Sequence, residues 1–323
     1  MMYTVLDSNF LLHRVLNLPV FFDMEFQGTQ TGGVYGVIQS LQSTLCGAPQ
    51  GNRIISIWDG GKSKRRKEIF PLYKDNRNPK TPEEKIAKEQ YFAKFAPQQE
   101  LLKSFVFPAL GICNVSLPDK EGDDTLFQVV KLLENEDVLV ISEDKDVLQL
   151  IHHFPKLKIY RPIAKQHVNY ENFEREIGVH PSLFLLSKAM RGDKSDGIPG
   201  IKGIGDVTID KIMSLLKPND SVLGLKNLTE SIYNEEMKKG KLSRLGKVYQ
   251  GWGTICVNLD LVDISREEFL NSDIEKIKQM MVSHDYSIHR EQFFAQCRGL
   301  GFTSIITNFD NWISAFNKFS ESK

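Results

Sequence analysis

The sequence predicts an α/β fold, a parallel sheet followed by a mainly helical region. Two patterns predict the sheet. Residues 3–6, 54–58 and 138–141 are short, mostly apolar runs, as in strands covered on both faces. Between them lie apolar stripes of helical period: Val34, Val37, Ile38, Leu41 and Leu45, then Leu126, Val129, Val130 and Leu133. The third observation is that helical signals dominate from Pro181 onward. A boundary near residue 180 therefore divides a sheet-bearing unit, 1–180, from a helical one, 181–323.

With 323 residues, 41% hydrophobic, the chain has material for a real core. Lys+Arg and Asp+Glu both total 41, so information about partners lies in how charge is distributed. Cys46, Cys113, Cys256 and Cys297 are scattered with no CxxC pair, which points to free thiols in a reducing compartment. The stretch FLLHRVLNLPVFF is interrupted by His13, Arg14 and Pro19 and makes a poor signal peptide; no apolar run is long enough to span a bilayer. A cytoplasmic location is the expectation.

Tyr3–Leu6 reads as a strand ending at Asp7, and Ile54–Trp58 as a strand ending in Asp59-Gly60-Gly61. Asp-Gly is also a common turn pair, so each aspartate alone carries little weight. The run KSKRRK follows at 62–67, including Lys62, Lys64, Arg65 and Arg66, and Lys74, Arg77, Lys80, Lys85 and Lys88 continue it. Such a run is a solvated loop or a surface for a polyanion, and Tyr73 adds a ring able to stack on a base. Thr81-Pro82-Glu83-Glu84 is a helix start with N-cap, first-turn proline and reciprocal glutamate. That helix is expected to run to about Ala96, with Pro97 opening a second one through Phe105. The insertion before the strand at 111–117 thus reads as a basic loop and a helical hairpin, an arch over the strand ends spanning about 62–107.

Residues 118–148 hold the densest chemistry. Glu121, Asp123 and Asp124 precede a helix, and Asp144 and Asp146 follow the strand at 138–141. In parallel α/β sheets functional groups gather at the carboxyl ends of strands. Two carboxylates 4 Å apart repel by roughly 4 kcal/mol at an effective dielectric of 20, so such a cluster requires protons or a cation. All-oxygen ligation suits Mg²⁺ or Mn²⁺. Ordinary turn and capping acids are the competing reading for either group alone.

Leu157–Tyr160 reads as a further strand and Asn169–Ile177 as a short helix. Next comes LFLLSKAMRGDKSDGIPGIKGIGDVTIDKIMSLL from 183. A helix ends near Arg191-Gly192, and one helical turn would set Asp193 and Asp196 on one face. A glycine-rich loop, with Gly200, Lys202, Gly203 and Gly205, leads into a helix marked by Val207, Ile212, Leu215 and Leu216. Glycines let backbone amides approach phosphates at a helix N-terminus; a tight αα-hairpin is the plainer alternative. After 221, Lys238, Lys239, Lys241, Arg244 and Lys247 form a second basic patch, and Ile274, Ile277, Met280, Met281, Phe293, Phe294, Ile305, Trp312, Ile313 and Phe316 read as helix faces on a core.

Together these segments resemble the 5′-nuclease superfamily of flap endonucleases and 5′–3′ exonucleases, most of all the phage exonucleases of RNase H type. VLDSNF resembles its first motif, WDGGKSKRRKEIFPLYKDNR its second, EGDD its E-x-D-D motif, ISEDKDVLQL the next acidic pair, and GDKSDGIPGIKGIG the last. The resemblance covers Tyr3 to about Leu216 and implies a PIN-like sheet with a helical arch. It also implies a helix–two-turn–helix at about 183–217 that holds duplex DNA, with a K⁺ ion on its backbone carbonyls. It implies nine metal ligands (Asp7, Asp59, Glu121, Asp123, Asp124, Asp144, Asp146, Asp193 and Asp196), two Mg²⁺ ions replaceable by Mn²⁺, and Lys74 and Arg77 as catalytic cations. The partner would be DNA with a 5′ flap or 5′ end, or an RNA–DNA hybrid, met by a monomer. Glu143 and Lys145 depart from the usual pattern of that motif. A PIN-type endoribonuclease and a non-catalytic DNA-binding protein are the rival readings; neither needs the whole set.

Overall fold

The structure, a computed structural model, describes residues 2–46, 52–218 and 222–317. Strand β1 (Met2–Asp7) leads through α1 (Ser8–Leu16), α2 (Pro19–Phe22), the hairpin β2 (Glu25–Phe26) and β3 (Thr29–Gln30), and α3 (Gly32–Leu45) to β4 (Asn52–Ile57). Helices α4 (Lys64–Ile69), α5 (Pro82–Leu101) and α6 (Phe107–Ala109) precede β5 (Ile112–Val115). Then come α7 (Gly122–Leu132), β6 (Asp137–Ile141), α8 (Leu150–His153), β7 (Lys158–Arg161) and β8 (Gln166–Val168). The rest is helical: α9 (Phe173–Ile177), α10 (Pro181–Arg191), α11 (Asp206–Leu215), α12 (Val222–Lys238), α13 (Arg244–Gln250), α14 (Trp252–Val262), α15 (Asn271–Ser283), α16 (Arg290–Gly299), α17 (Thr303–Thr307) and α18 (Phe309–Asn317).

The main sheet runs β5-β4-β1-β6-β7-β8. Every pairing is parallel except β7 with β8. Val5, Ile55 and Val140 at its centre are fully buried, which is why these strands are β-branched and apolar rather than alternating. The order steps outward from β1 in both directions, so the switch point lies beside β1. Ligands in open α/β sheets bind there, beyond the strand carboxyl ends. Those ends carry Asp7, Asp59 and Asp144.

Several sequence expectations are corrected. The hairpin expected at 82–107 is one helix. α5 starts at Thr81 as predicted, Thr81 Oγ1 accepting from Glu84 N at 3.2 Å, but it passes through Pro97 to Leu101 and continues as a π-helical turn, Leu102–Val106. Burial of Phe95, Gln98, Leu102 and Val106 holds that course against the usual cost of an interior proline. Gln98 Oε1 accepts from Gly33 N at 2.5 Å and Val34 N at 3.3 Å, so the C-terminal half of the helix is fixed to α3. Only its first turns are free of the body. The helix expected at 169–177 is confined to Phe173–Ile177. The stripe expected on α11 holds in part: Ile212 and Leu216 are buried, but Val207 and Leu215 are exposed and Thr208, Ile209 and Met213 take their place in the core. The hydrophobic cores draw residues from both sides of the boundary near 180. Phe293, Trp312, Ile313 and Phe316 complete the core formed by Leu12, Val37 and Ile38 on one face of the sheet. Ile277 and Met281 join Val129 and Val140 on the other. A third core unites α10, α11 and α14 through Met190, Ile209 and Leu259.

Candidate active site

The acids come from separate chain segments that meet in one cleft. Asp7 closes β1 and caps α1, accepting from Phe10 N at 3.1 Å. Its other oxygen accepts from Ser142 Oγ at 2.8 Å, and Ser142 Oγ accepts from Asp144 N at 3.0 Å. Asp59 accepts from Asn9 Nδ2 and from Gly122 N, both at 2.5 Å. A side chain at position 122 would collide with that carboxylate, so the glycine of EGDD lets α7 begin beside the β4 loop. Asp146 N donates to Asp144 Oδ1 at 2.8 Å.

Asp193 and Asp196 also converge, though not on a helix. They lie in a turn closed by an antiparallel bridge between Asp193 and Ile198, and Asp193 Oδ1 accepts from Ser195 N, Ser195 Oγ and Asp196 N. Oxygens of Asp146, Asp193 and Asp196 lie within 4.8 Å of one another, as do those of Glu121, Asp123 and Asp124. A cleft of about 290 Å³ is lined by Asp7, Asp59, Glu121, Asp123, Asp144, Asp146, Asp193 and Asp196, with Lys74, Arg77 and His13 at its side. Of the nine acids, only Asp124 is absent from the lining.

Burial and neighbouring acids set the charge balance. Burial, with Asp59 and Asp123 nearby, lifts Asp7 to about 6. Burial and Asp7 lift Asp144 to about 6. Burial and Asp144, against the pull of Lys188, lift Asp146 to about 7. Burial also raises Asp59. Asp193 is the exception: burial pushes it up, but its ion pair with Lys188 holds it at about 2. Lys188 donates to Asp193 at 2.8 Å and also pairs with Asp146. The donors are all oxygen and crowded beyond what the local lysines neutralise, which fits a hard divalent cation.

The cations sort into distinct groups. Lys74 donates to Glu121 Oε2 at 2.7 Å, and Arg77 pairs with Asp196. Lys74 has φ 57°, a left-handed conformation that costs a non-glycine residue about 1–2 kcal/mol and is held by its N–H on Asp196 O at 2.8 Å. Lys62, Lys64 and Lys85 are exposed and Lys88 half-buried. Lys64 pairs with Asp119 and Arg65 with Glu267. Two expected surface contacts are overturned. Tyr73 is 1% exposed, its hydroxyl donating to Glu121 at 2.9 Å and Asp196 at 3.1 Å, so it has no face to stack on a base. Arg66 is likewise 1% exposed and bound inside the protein, chiefly to Asp124. Asp124, expected as a ligand, is fully buried with both oxygens on Arg66.

In the glycine loop, Lys202, Gly203 and Gly205 are exposed. Gly203 has φ +78° with open space around it, and Gly205 caps α11. Gly200 differs from its expected role: a side chain there would collide with the Arg191 carbonyl, so it serves close packing on α10. The departures from the motif also have places. Glu143 pairs with Arg161 at 3.0 Å and accepts from Ile163 N and Ala164 N, and Lys145 is exposed. Sequence reasoning missed Asn9, Ser142 and Lys188. Polar residues at or just after strand ends, and a lysine on α10 five residues before Asp193, were the available signals.

Residues 2–178 match the family model of the 5′-3′ exonuclease N-terminal resolvase-like domain. The chain is 30% identical over 246 residues to a 5′-3′ exonuclease of Bacillus subtilis (strain 168), covering 75% of each. Among solved structures, the zinc-bound 5′-exonuclease of T5 superposes with TM-score 0.64 at 20% identity, covering 88% of this chain and 99% of that one. A flap endonuclease of bacteriophage T5, solved as a pseudo-enzyme–product complex with DNA and metal ions, gives 0.63 at 21% identity, covering 87% and 99%. The chain belongs to the 5′-3′ exonuclease family. It is a 5′-nuclease, a hydrolase of phosphodiester bonds, built on the fold of the phage flap endonucleases. Among the described residues no helix is long and apolar enough to cross a membrane.

Proposed function

We propose that the protein is a Mg²⁺-dependent nuclease that cuts phosphodiesters at 5′ ends and 5′ flaps of DNA or RNA–DNA, in primer removal or repair within the cytoplasm of a bacterial cell or phage-infected host. The observation that carries this reading is the meeting of eight carboxylates from five chain segments with Lys74 and Arg77 in one cleft. Asp7, Asp59, Glu121 and Asp123 would serve one ion, and Asp144, Asp146, Asp193 and Asp196 a second. Bound there, divalent ions supply Lewis acidity toward phosphoryl oxygens and a nucleophilic water at neutral pH. The chain's own contribution is to hold these acids in register through Ser142, Asn9 and Gly122 N, and to set Lys74 and Arg77 against charge on the scissile phosphate. The exposed loop from Lys202 to Gly205 would hold duplex backbone, with K⁺ on its carbonyls as the sequence resemblance implies.

The test is a gel comparing a labelled 5′ flap, a nicked duplex, an RNA–DNA hybrid and single-stranded RNA, each with Mg²⁺ or EDTA. Mg²⁺-dependent cutting of the flap and the nicked duplex is expected. Cutting of single-stranded RNA alone would replace this reading with an endoribonuclease. In the same assay Asp144→Ala is expected to lose more than a hundredfold in rate while duplex affinity stays within about threefold, because backbone contacts dominate affinity. Parallel loss of both would assign Asp144 a structural role instead.

A further inference from the structure

Behind the acid cleft lies a second, drier set of charges. The Arg66 guanidinium forks onto Asp124, with Nη1 to Oδ2 at 2.6 Å and Nη2 to Oδ1 at 2.7 Å. Nη1 also donates to Glu121 Oε2 at 3.1 Å, and Nε donates to the Leu261 carbonyl at 2.8 Å. One side chain thus joins α4, the start of α7 and the end of α14. Glu121 Oε2 then receives Tyr73 Oη and Lys74 Nζ, and Glu121 Oε1 receives Ser63 N at 3.3 Å. Ser63 is tied in turn to Glu267 by its hydroxyl at 2.7 Å, and Lys120 reaches Glu267 at 2.8 Å.

We propose that Asp124 serves Arg66 rather than a metal ion, and that Arg66 is a positioning residue that fixes Glu121 and, through it, the Lys74 ammonium at the cleft. The contrast with Asp123 supports the division. Asp123 is half-buried, lines the cleft and accepts one bond, from Asp124 N at 2.9 Å. Asp124 is fully buried and turned away from the cleft, with its oxygens already bridged. Stability alone does not require such a pair. Burying two charges costs several kcal/mol per ion, and an apolar pair of similar volume is often as stable or more so. What an apolar pair cannot do is aim a third group. A guanidinium satisfies a carboxylate with two parallel bonds and still directs a donor elsewhere. Here that donor falls on the oxygen that holds Lys74, a residue already in a left-handed backbone conformation that needs restraint from both sides. The segment after 221, through Leu261 and Glu267, thereby gains a role in placing a cleft residue.

The proposal rests on Lys74 as the cation facing the phosphate, and the experiment separates the two. Full-length wild type, Asp124→Asn, Asp123→Asn, Arg66→Lys and the double variant Arg66→Met/Asp124→Leu are compared. The readouts are Mn²⁺ stoichiometry by calorimetry, the ¹⁵Nζ resonance of Lys74, and kcat and KM on a 5′-flap DNA. Asp124→Asn is expected to keep the wild-type Mn²⁺ stoichiometry while Asp123→Asn loses an equivalent. The double variant is expected to fold, to shift the Lys74 resonance, and to lose at least tenfold in kcat with KM within threefold. Arg66→Lys is expected to lose kcat as well, since an ammonium cannot span both carboxylates. A lost Mn²⁺ equivalent in Asp124→Asn overturns the proposal. So does an unmoved Lys74 resonance with wild-type kcat in the double variant or, should that variant not fold, in Arg66→Lys. Wild type that neither binds Mn²⁺ nor cuts the flap would defeat the functional reading instead, and the Lys74 resonance would still report on positioning.

Discussion

Asp7, Asp144 and Asp146 hold their protons to about 6, 6 and 7, well above an ordinary aspartate near 4. Between those values the native state binds more protons than the unfolded chain, so their contribution to stability is full below about pH 4 and is lost as pH rises through 6 to 7. Without divalent cations, the unfolding midpoint is therefore expected to fall across this window as far as these groups decide it. Saturating Mg²⁺ should remove the fall, since a ligand at 100 times its Kd adds about 2.7 kcal/mol. Thermal scans from pH 4 to 8 with EDTA or Mg²⁺ check this, and superimposable curves would argue against a cation-binding cluster. At this scale the acids were legible because motif and strand end coincide. Arg66 was not, because the basic residues of KSKRRK are alike in type and none of them by itself marks which points inward. The hint was Ser63, an N-cap three residues before it, which orients the short helix with position 66 inward.

Among the elements, the glycine loop and the long helix carry the sharper expectations. Gly203 has φ +78° and nothing within 4 Å of where a side chain would begin, so substitution strains the backbone without a collision. Asparagine tolerates this conformation and leucine does not. Gly203→Leu is expected to weaken duplex affinity at least fivefold and Gly203→Asn less, measured by anisotropy on a blunt duplex. Normal binding by the leucine variant would dismiss the loop as a backbone reader. For α5, the half from Tyr91 onward is anchored, Tyr91 Oη meeting His13 Nδ1, while its first turns face outward with Lys85 exposed and Lys88 half-buried. If a 5′ strand passes there, a protein-sized block on the flap added before enzyme should slow initial cleavage strongly, and the same block added after binding should not. Equal rates in both orders would make the segment a surface excursion. The helix start was readable from Thr81 to Glu84. Passage through Pro97 was not, because local propensity argues for a break and only the tertiary burial of Phe95 and Gln98 overrides it.

At the level of the whole molecule, the sheet's two faces are finished by the last helices. Phe293, Trp312 and Phe316 are buried against Leu12, Val37 and Ile38. Each such side chain contributes about 1.5–3 kcal/mol in a protein whose net stability is of order 5–15 kcal/mol. Removal of residues 271–317 is accordingly expected to abolish cooperative unfolding by circular dichroism; a cooperative transition in that fragment would restore a two-unit reading. The parallel order of the sheet followed from its apolar runs, whereas this return of the chain did not, since helix faces give periodicity and no address. The closure also fixes a sequence of events in time. During synthesis the strands at the centre of the sheet and the helices α1 and α3 emerge long before Phe293, Trp312 and Phe316, which join the same core, so that face is completed last. Contacts of such long sequence separation form slowly, and chaperone capture of the nascent chain is the natural companion of this architecture.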